Sequence, residues 1–255
     1  ENLIFFKKKY KCIKGTWNYL WKNQKIHKIK NVFSHNNILK NSGYVKIKYK
    51  KQIVFFRSSP SISINRLAFL NHAHDDIGHF LYYYNDQPIL VDAGRYTYLK
   101  NEERFGMFHN LIYANSQLIS MNLIKYFILN CLFLDCKITI KNHRRMIKII
   151  FTKKSKIFSN FFLNISRKIK ISENSLSLND EIKNTSVVSK EIITIGDKIK
   201  VKKSNLITTS VKKERCNLKY DNSLKIMNNN LNALRYDVIQ YGKRKPTNFI
   251  VKNFS

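Results

Sequence analysis

HFLYYYNDQPILVD, residues 79–92, is the stretch that decides the fold. Phe80 to Tyr84 form one extended run, Asn85, Asp86, Gln87 and Pro88 supply a turn, and Ile89 to Val91 return, ending at Asp92 and Gly94. This pattern is that of a β-hairpin. Upstream, Val45, Ile47 and Tyr49 alternate with lysines, Lys50, Lys51 and Gln52 turn, and IVFFR at 53–57 comes back. Downstream, CKITIKNHRRMIKIIF (136–151), RKIKISENSLSLNDEI (167–182) and DKIKVKK (197–203) repeat the alternation, broken by Asn, Ser or Asp. Strands at this spacing without helical periods between them predict an all-β fold, an antiparallel β-sandwich.

Ahead of Gly43 the pattern is different. Residues 3–41 carry Trp17, Tyr19, Leu20 and Trp21 among many lysines without clean alternation, and leave room for a short helix. No apolar run approaches the roughly 20 residues of a membrane span, since YFILNCLFL at 126–134 is interrupted by Asn130. LIFF at the start is too short for the apolar region of a secretory signal, so no signal peptide is read in this chain. Cys12, Cys131, Cys136 and Cys216 include no pair at the spacing of a zinc knuckle or redox motif, and read as ordinary buried thiols.

The chain has 255 residues with 47 Lys and Arg against 16 Asp and Glu, a formal charge of +31, and 44% of it is hydrophobic, enough for a core. Such a charge brings nucleic acid, anionic membrane and acidic polysaccharide into view as partners. Scarce Ala, Gly and Pro beside abundant Lys, Asn and Ile also fit the codon bias of an AT-rich genome, which charges any protein it encodes.

Codon bias does not explain where the acids fall. After Glu1 the next is Asp75, and then Asp76, Asp86, Asp92, Glu102 and Glu103 follow. His72, His74, His79 and His109, four of the seven histidines, share that window. Nitrogen and oxygen donors gathered in this way suit a divalent metal or acid and base catalysis. His72 and His74, two apart, share a face if the segment is extended, and Asp92 ends a strand of the following hairpin. The alternative is a structural or surface group that braces the hairpin through hydrogen bonds.

The segment NHAHDDIGHFLYYYNDQPILVDAGRYTYLKNEERFGMFHN, residues 71–110, resembles the signature block of the heparinase II/III-like family. The matching residues are His72, His74, Asp76 and Phe80, then Val91, Asp92, Gly94 and Tyr96, and later Arg104 before His109 and Asn110. SGYVKI (42–47), NHRRMI (142–147), NSLSLNDEI (174–182) and, as a closing strand, YGKRKPT (241–247) extend the resemblance more weakly. Here FGMF alone separates Arg104 from His109, where the family has an Arg-Ser-Thr-like stretch, and His79 stands where it commonly has Ser, as an altered site or a surface choice.

The resemblance implies a supersandwich-like carboxy-terminal domain over residues 42–255, with 1–41 as the tail of a missing helical domain. It implies that His74, Asp92 and His109 bind a structural divalent metal, zinc or calcium, and that His72 is the catalytic histidine facing substrate. Arg104, whose planar fork matches a carboxylate or sulfate, would bind the sugar, or else brace Glu102 or Glu103. The implied activity is β-elimination of an acidic, uronate-containing polysaccharide, such as a glycosaminoglycan, by a periplasmic or secreted lyase. The family's Tyr acid/base and neutralising Asn sit on an α/α-toroid for which this chain has no room, so that domain is expected in cis or in trans. The alternatives are a non-catalytic module for anionic glycans and a decayed fragment. Nucleic acid is not an expected partner, because no binding motif accompanies the charge.

Overall fold

The computed structural model describes residues 37–39, 43–59, 74, 76–92, 109–114, 134–155, 164–182, 189–196, 206–211, 214–219, 225–227, 236–240, 243–246 and 249–254. All secondary structure among them is strand. In order these are β1 (Asn37–Leu39), β2 (Tyr44–Tyr49), β3 (Gln52–Arg57), β4 (Phe80–Tyr84), β5 (Gln87–Val91) and β6 (Leu111–Ala114). Next come β7 (Leu134–His143), β8 (Met146–Ser155), β9 (Ile165–Ser172), β10 (Ser175–Ile182) and β11 (Ser189–Ile195). The rest are β12 (Leu206–Val211), β13 (Glu214–Lys219), β14 (Lys225–Met227), β15 (Tyr236–Gln240), β16 (Lys243–Pro246) and β17 (Phe249–Phe254). The chain divides into two units between His35 and Asn36, and every described strand lies in the second, Asn36–Ser255. Of the segment 3–41 only 37–39 are described, and they are a strand; DKIKVKK lies outside the described residues.

One sheet runs β1-β2-β3-β4-β5-β11-β17-β14, with β6 also on β11, and the other runs β12-β13-β10-β9-β8-β7. Neighbours are antiparallel except β10 and β13, which pair in parallel. The stretch expected to close the domain, 241–247, instead supplies β16, which forms a separate two-stranded ribbon with β15, and the last described strand is β17. The three tyrosines alternate as strand geometry requires: Tyr82 and Tyr84 are buried and Tyr83 is turned outward against Phe55.

Both amino-terminal hairpins turn more tightly than the sequence pattern predicts. Asn85 and Asp86 have φ of 50° and 64°, the doubly positive pair of a two-residue turn whose twist matches its strands. Gln87 and Pro88 therefore begin β5, and the register with β4 shifts between Tyr82 and Tyr83, where Pro88 has no N–H for the ladder. Likewise Gln52 belongs to β3. It is fully buried, accepts from the Tyr82 hydroxyl at 2.9 Å and donates to the Glu173 carbonyl at 3.0 Å on the opposite sheet.

The core lies between the sheets. Val45, Ile47, Val54, Phe56, Phe80 and Tyr82 from one face Ile147, Ile149, Phe151, Ile169 and Ile171 from the other. Phe56 and Phe151 meet edge to face at 5.1 Å across the interface, the favoured geometry for two aromatic quadrupoles.

Candidate functional site

The site collects at one end of β4 and β5. His74 and His79 lie on the segment entering β4, Asp92 follows β5, and His109 and Asn110 lead into β6. Because β4 and β5 are antiparallel, the start of one and the end of the other are neighbours, which brings Asp92 back to the histidines.

His109 is the centre of the group and is 1% exposed. Its Nδ1 lies 2.9 Å from Asp92 Oδ1, and its Nε2 lies 3.2 Å from His74 Nδ1. Asp92, with 36% of its side chain exposed, opens the row to solvent. With Nδ1–H of His109 donating to the carboxylate, Nε2 is left as a lone pair facing His74, the arrangement in which a carboxylate fixes the tautomer of a ligating imidazole.

His79 is buried rather than a surface choice, and its ring stands 5.5 Å from that of His109. Its Nδ1 accepts the backbone N–H of Asn110 at 2.9 Å, and its Nε2 is 3.8 Å from Asp92 Oδ2. A neutral imidazole carries one proton, so Nε2 bears it and faces the carboxylate.

Further polar groups hold the two loops together, Asn110 and Asp76 from the resembling block and Arg167 and Asp180 from outside it. Asn110, fully buried, donates through Nδ2 to the carbonyls of Phe80 at 3.0 Å and Val91 at 2.9 Å, stitching the start of β4 to the end of β5. Arg167 on β9 reaches from the other sheet: its Nη1 donates to the carbonyls of Gly78 and Asn110, both at 2.7 Å. Asp180 holds Arg167 from the opposite side, Nε to Oδ1 at 3.0 Å and Nη2 to Oδ2 at 2.6 Å. Asp76 lies 3.4 Å from Nε of the buried Arg57, an ion pair that anchors the histidine-bearing segment to β3.

His79, Asp92 and His109 offer ligand atoms within 4.8 Å of one another, so a His/Asp/His group here can hold a metal ion. The His74 and His109 pair also fits: two nitrogens about 2.0–2.1 Å from a tetrahedral zinc lie roughly 3.3–3.4 Å apart, close to the edge observed. The structure thus brings together His74, Asp92 and His109 in one contact row, whereas His72 and Arg104 lie outside the described residues.

Residues 35–110 match the family model described as Heparinase II/III-like, C-terminal. No curated protein matches the chain. Among solved structures, a heparinase III with methylated lysines superposes with a TM-score of 0.61 at 13% identity, over 93% of this chain and 35% of that one. The chain therefore spans about a third of that protein's length, and the likeness is one of fold. The match over residues 35–110 and the shared fold make this chain similar to the heparinase II/III-like carboxy-terminal domain.

Proposed function

We propose that this chain is the β part of a polysaccharide lyase that cleaves uronate-containing acidic glycans by β-elimination, completed by an α/α-toroid in cis or in trans. The observation that carries this is the His74, His109, Asp92 row, set at a solvent-open end of the sandwich and falling within the matched segment. The family also favours an extracellular or periplasmic setting. No helix among the described residues is long and apolar enough to cross a membrane.

In this reading a base removes the proton alpha to the uronate carboxylate and the glycosidic oxygen leaves. That proton is weakly acidic, so the carboxylate charge has to be neutralised by donors or cations placed where charge develops. His72 is the proposed donor on the substrate side, since an imidazole exchanges protons near neutral pH. Arg104 is proposed to hold a sugar carboxylate or sulfate through its two-pronged fork. His74, Asp92 and His109 are the proposed metal-side residues, with imidazole nitrogen favouring zinc over calcium. When bound, the ion would supply a fixed positive charge at this end of the sandwich.

The test is assay of this chain joined to an upstream toroid against a panel of acidic polysaccharides. Release of an ultraviolet-absorbing unsaturated uronide, lost in His72→Ala, is the expected result. Absence of such product from every acidic polysaccharide would sink the reading.

A further inference from the structure

The opposite end of the sandwich carries a second feature. Tyr84 lies five residues along β4 from His79, roughly 17 Å at about 3.4 Å per residue, and it pairs with Gln52 at the β2–β3 turn. There the β2–β3 turn meets the β7–β8 and β9–β10 turns around an open cleft of about 850 Å³. Arg144 and Arg145 stand on its rim, both exposed, while Tyr49, Asn174, Ser175 and Ser177 line it with a ring, an amide and hydroxyls. The one acidic lining residue, Glu173, is bonded to Lys50, which holds its carboxyl below the usual carboxylate range and cancels its charge.

A row of lysines on the outer face of the second sheet adjoins this cleft. The register sets Lys141 opposite Lys148 and Lys148 opposite Lys170, with Ser177 next in line. Three lysines thus stand side by side on adjacent strands, the Cα positions of the outer two about 10 Å apart. Like charges placed directly opposite destabilise a sheet, and a bound polyanion removes that cost. Codon bias supplies lysines, but it does not set their register.

We propose that this cleft and the lysine row beside it form a non-catalytic holding site for a stretch of acidic polysaccharide. The two arginines would take sugar carboxylates or sulfates, and the Ser, Asn and Tyr groups the sugar hydroxyls and ring faces. The hydroxyl-rich lining favours a glycan over a nucleic acid, whose contacts are dominated by phosphate. The ligand class rests on the polysaccharide reading above; the site does not.

Titration of the full chain with size-defined heparin oligosaccharides at fixed salt tests this. Arg144→Ser with Arg145→Ser should weaken binding by about tenfold, and Lys148→Ser with Lys170→Ser by a similar factor. Lys46→Ser with Lys48→Ser, an equal charge loss on the other sheet, should change affinity by less than about twofold. Equal weakening by the Lys46/Lys48 pair, or duplex DNA binding as tightly as heparin with the same residue dependence, would overturn the proposal. Loss of lyase product with heparin affinity intact would count against the lyase reading alone.

Discussion

The backbone N–H of Asn110 donates to Nδ1 of His79 at 2.9 Å, and both residues are buried. That bond commits the lone pair of His79 Nδ1 and puts the ring proton on Nε2, so the nitrogen facing Asp92 is a donor and not a metal ligand. His79 on this view orients the Asp92 carboxylate, and an ion held by the proposed row would sit on the His74 side of His109. Zinc titration of purified variants distinguishes the two sets. His74→Ala and His109→Ala should abolish tight binding, whereas His79→Ala should weaken it by about 10–100-fold, the usual cost of losing an outer partner. The reverse ranking of His74→Ala and His79→Ala would move the ion to the His79, Asp92, His109 group.

Arg167 and Asp180 are an almost fully buried ion pair, and Arg167 also satisfies the carbonyls of Gly78 and Asn110. Removing one partner strands the other charge in the core, so Arg167→Met should cost about 3–5 kcal/mol in urea unfolding. Asp180→Leu added to it relieves the stranded carboxylate but leaves both carbonyls without their donor. The double variant should therefore recover only part of the loss, and full recovery would show that the carbonyl contacts contribute nothing.

The sheet architecture was legible because lysines alternate with buried apolar residues on β2 and β9. The turns were read too long because Gln52 and Pro88 look like turn residues, while one is buried by hydrogen bonds across the sheets and the other is tolerated at a register shift. His74, Asp92 and His109 stood out against an acid-poor background. Asn110 stood out only as part of the matched His-Asn pair, and its bracing role was not legible, since it depends on β5 returning beside β4. The Arg167 and Asp180 pair did leave a signal: Arg167 is in phase with Ile169 and Ile171, and Asp180 with Leu176 and Leu178, so two opposite charges occupy the buried face of paired strands.

Cys136 is half-buried on β7, and burial pushes its thiol up to about 11, with Lys153 opposing and Asp135 adding to the shift. Since the raised value favours the protonated form in the folded state, its contribution to stability is complete below the unfolded thiol range. It is lost as pH rises through about 11. The thiolate is the reactive species, so at neutral pH Cys136 should label with iodoacetamide far more slowly in the folded chain than in urea. Mass-spectrometric mapping checks this, and equal rates in both states would contradict the burial.

Gly78 holds φ of 96° at the turn between Asp76 and His79, and a Cβ there would come within 3.0 Å of Phe151 Cε1. Its carbonyl accepts from Arg167 and its N–H donates to the Arg57 carbonyl, so the turn cannot relax without disturbing the brace under the histidines. Gly78→Ala therefore combines backbone strain of about 1–3 kcal/mol with a steric contact. Phe151→Leu takes the ring away and leaves the strain, so unfolding of Gly78→Ala in the wild-type and Phe151→Leu backgrounds separates the two. The loss should shrink but persist in the second background, and zinc affinity should fall with stability, because the displaced turn carries His79. A loss that vanishes with the ring would assign the whole effect to the contact and none to the backbone.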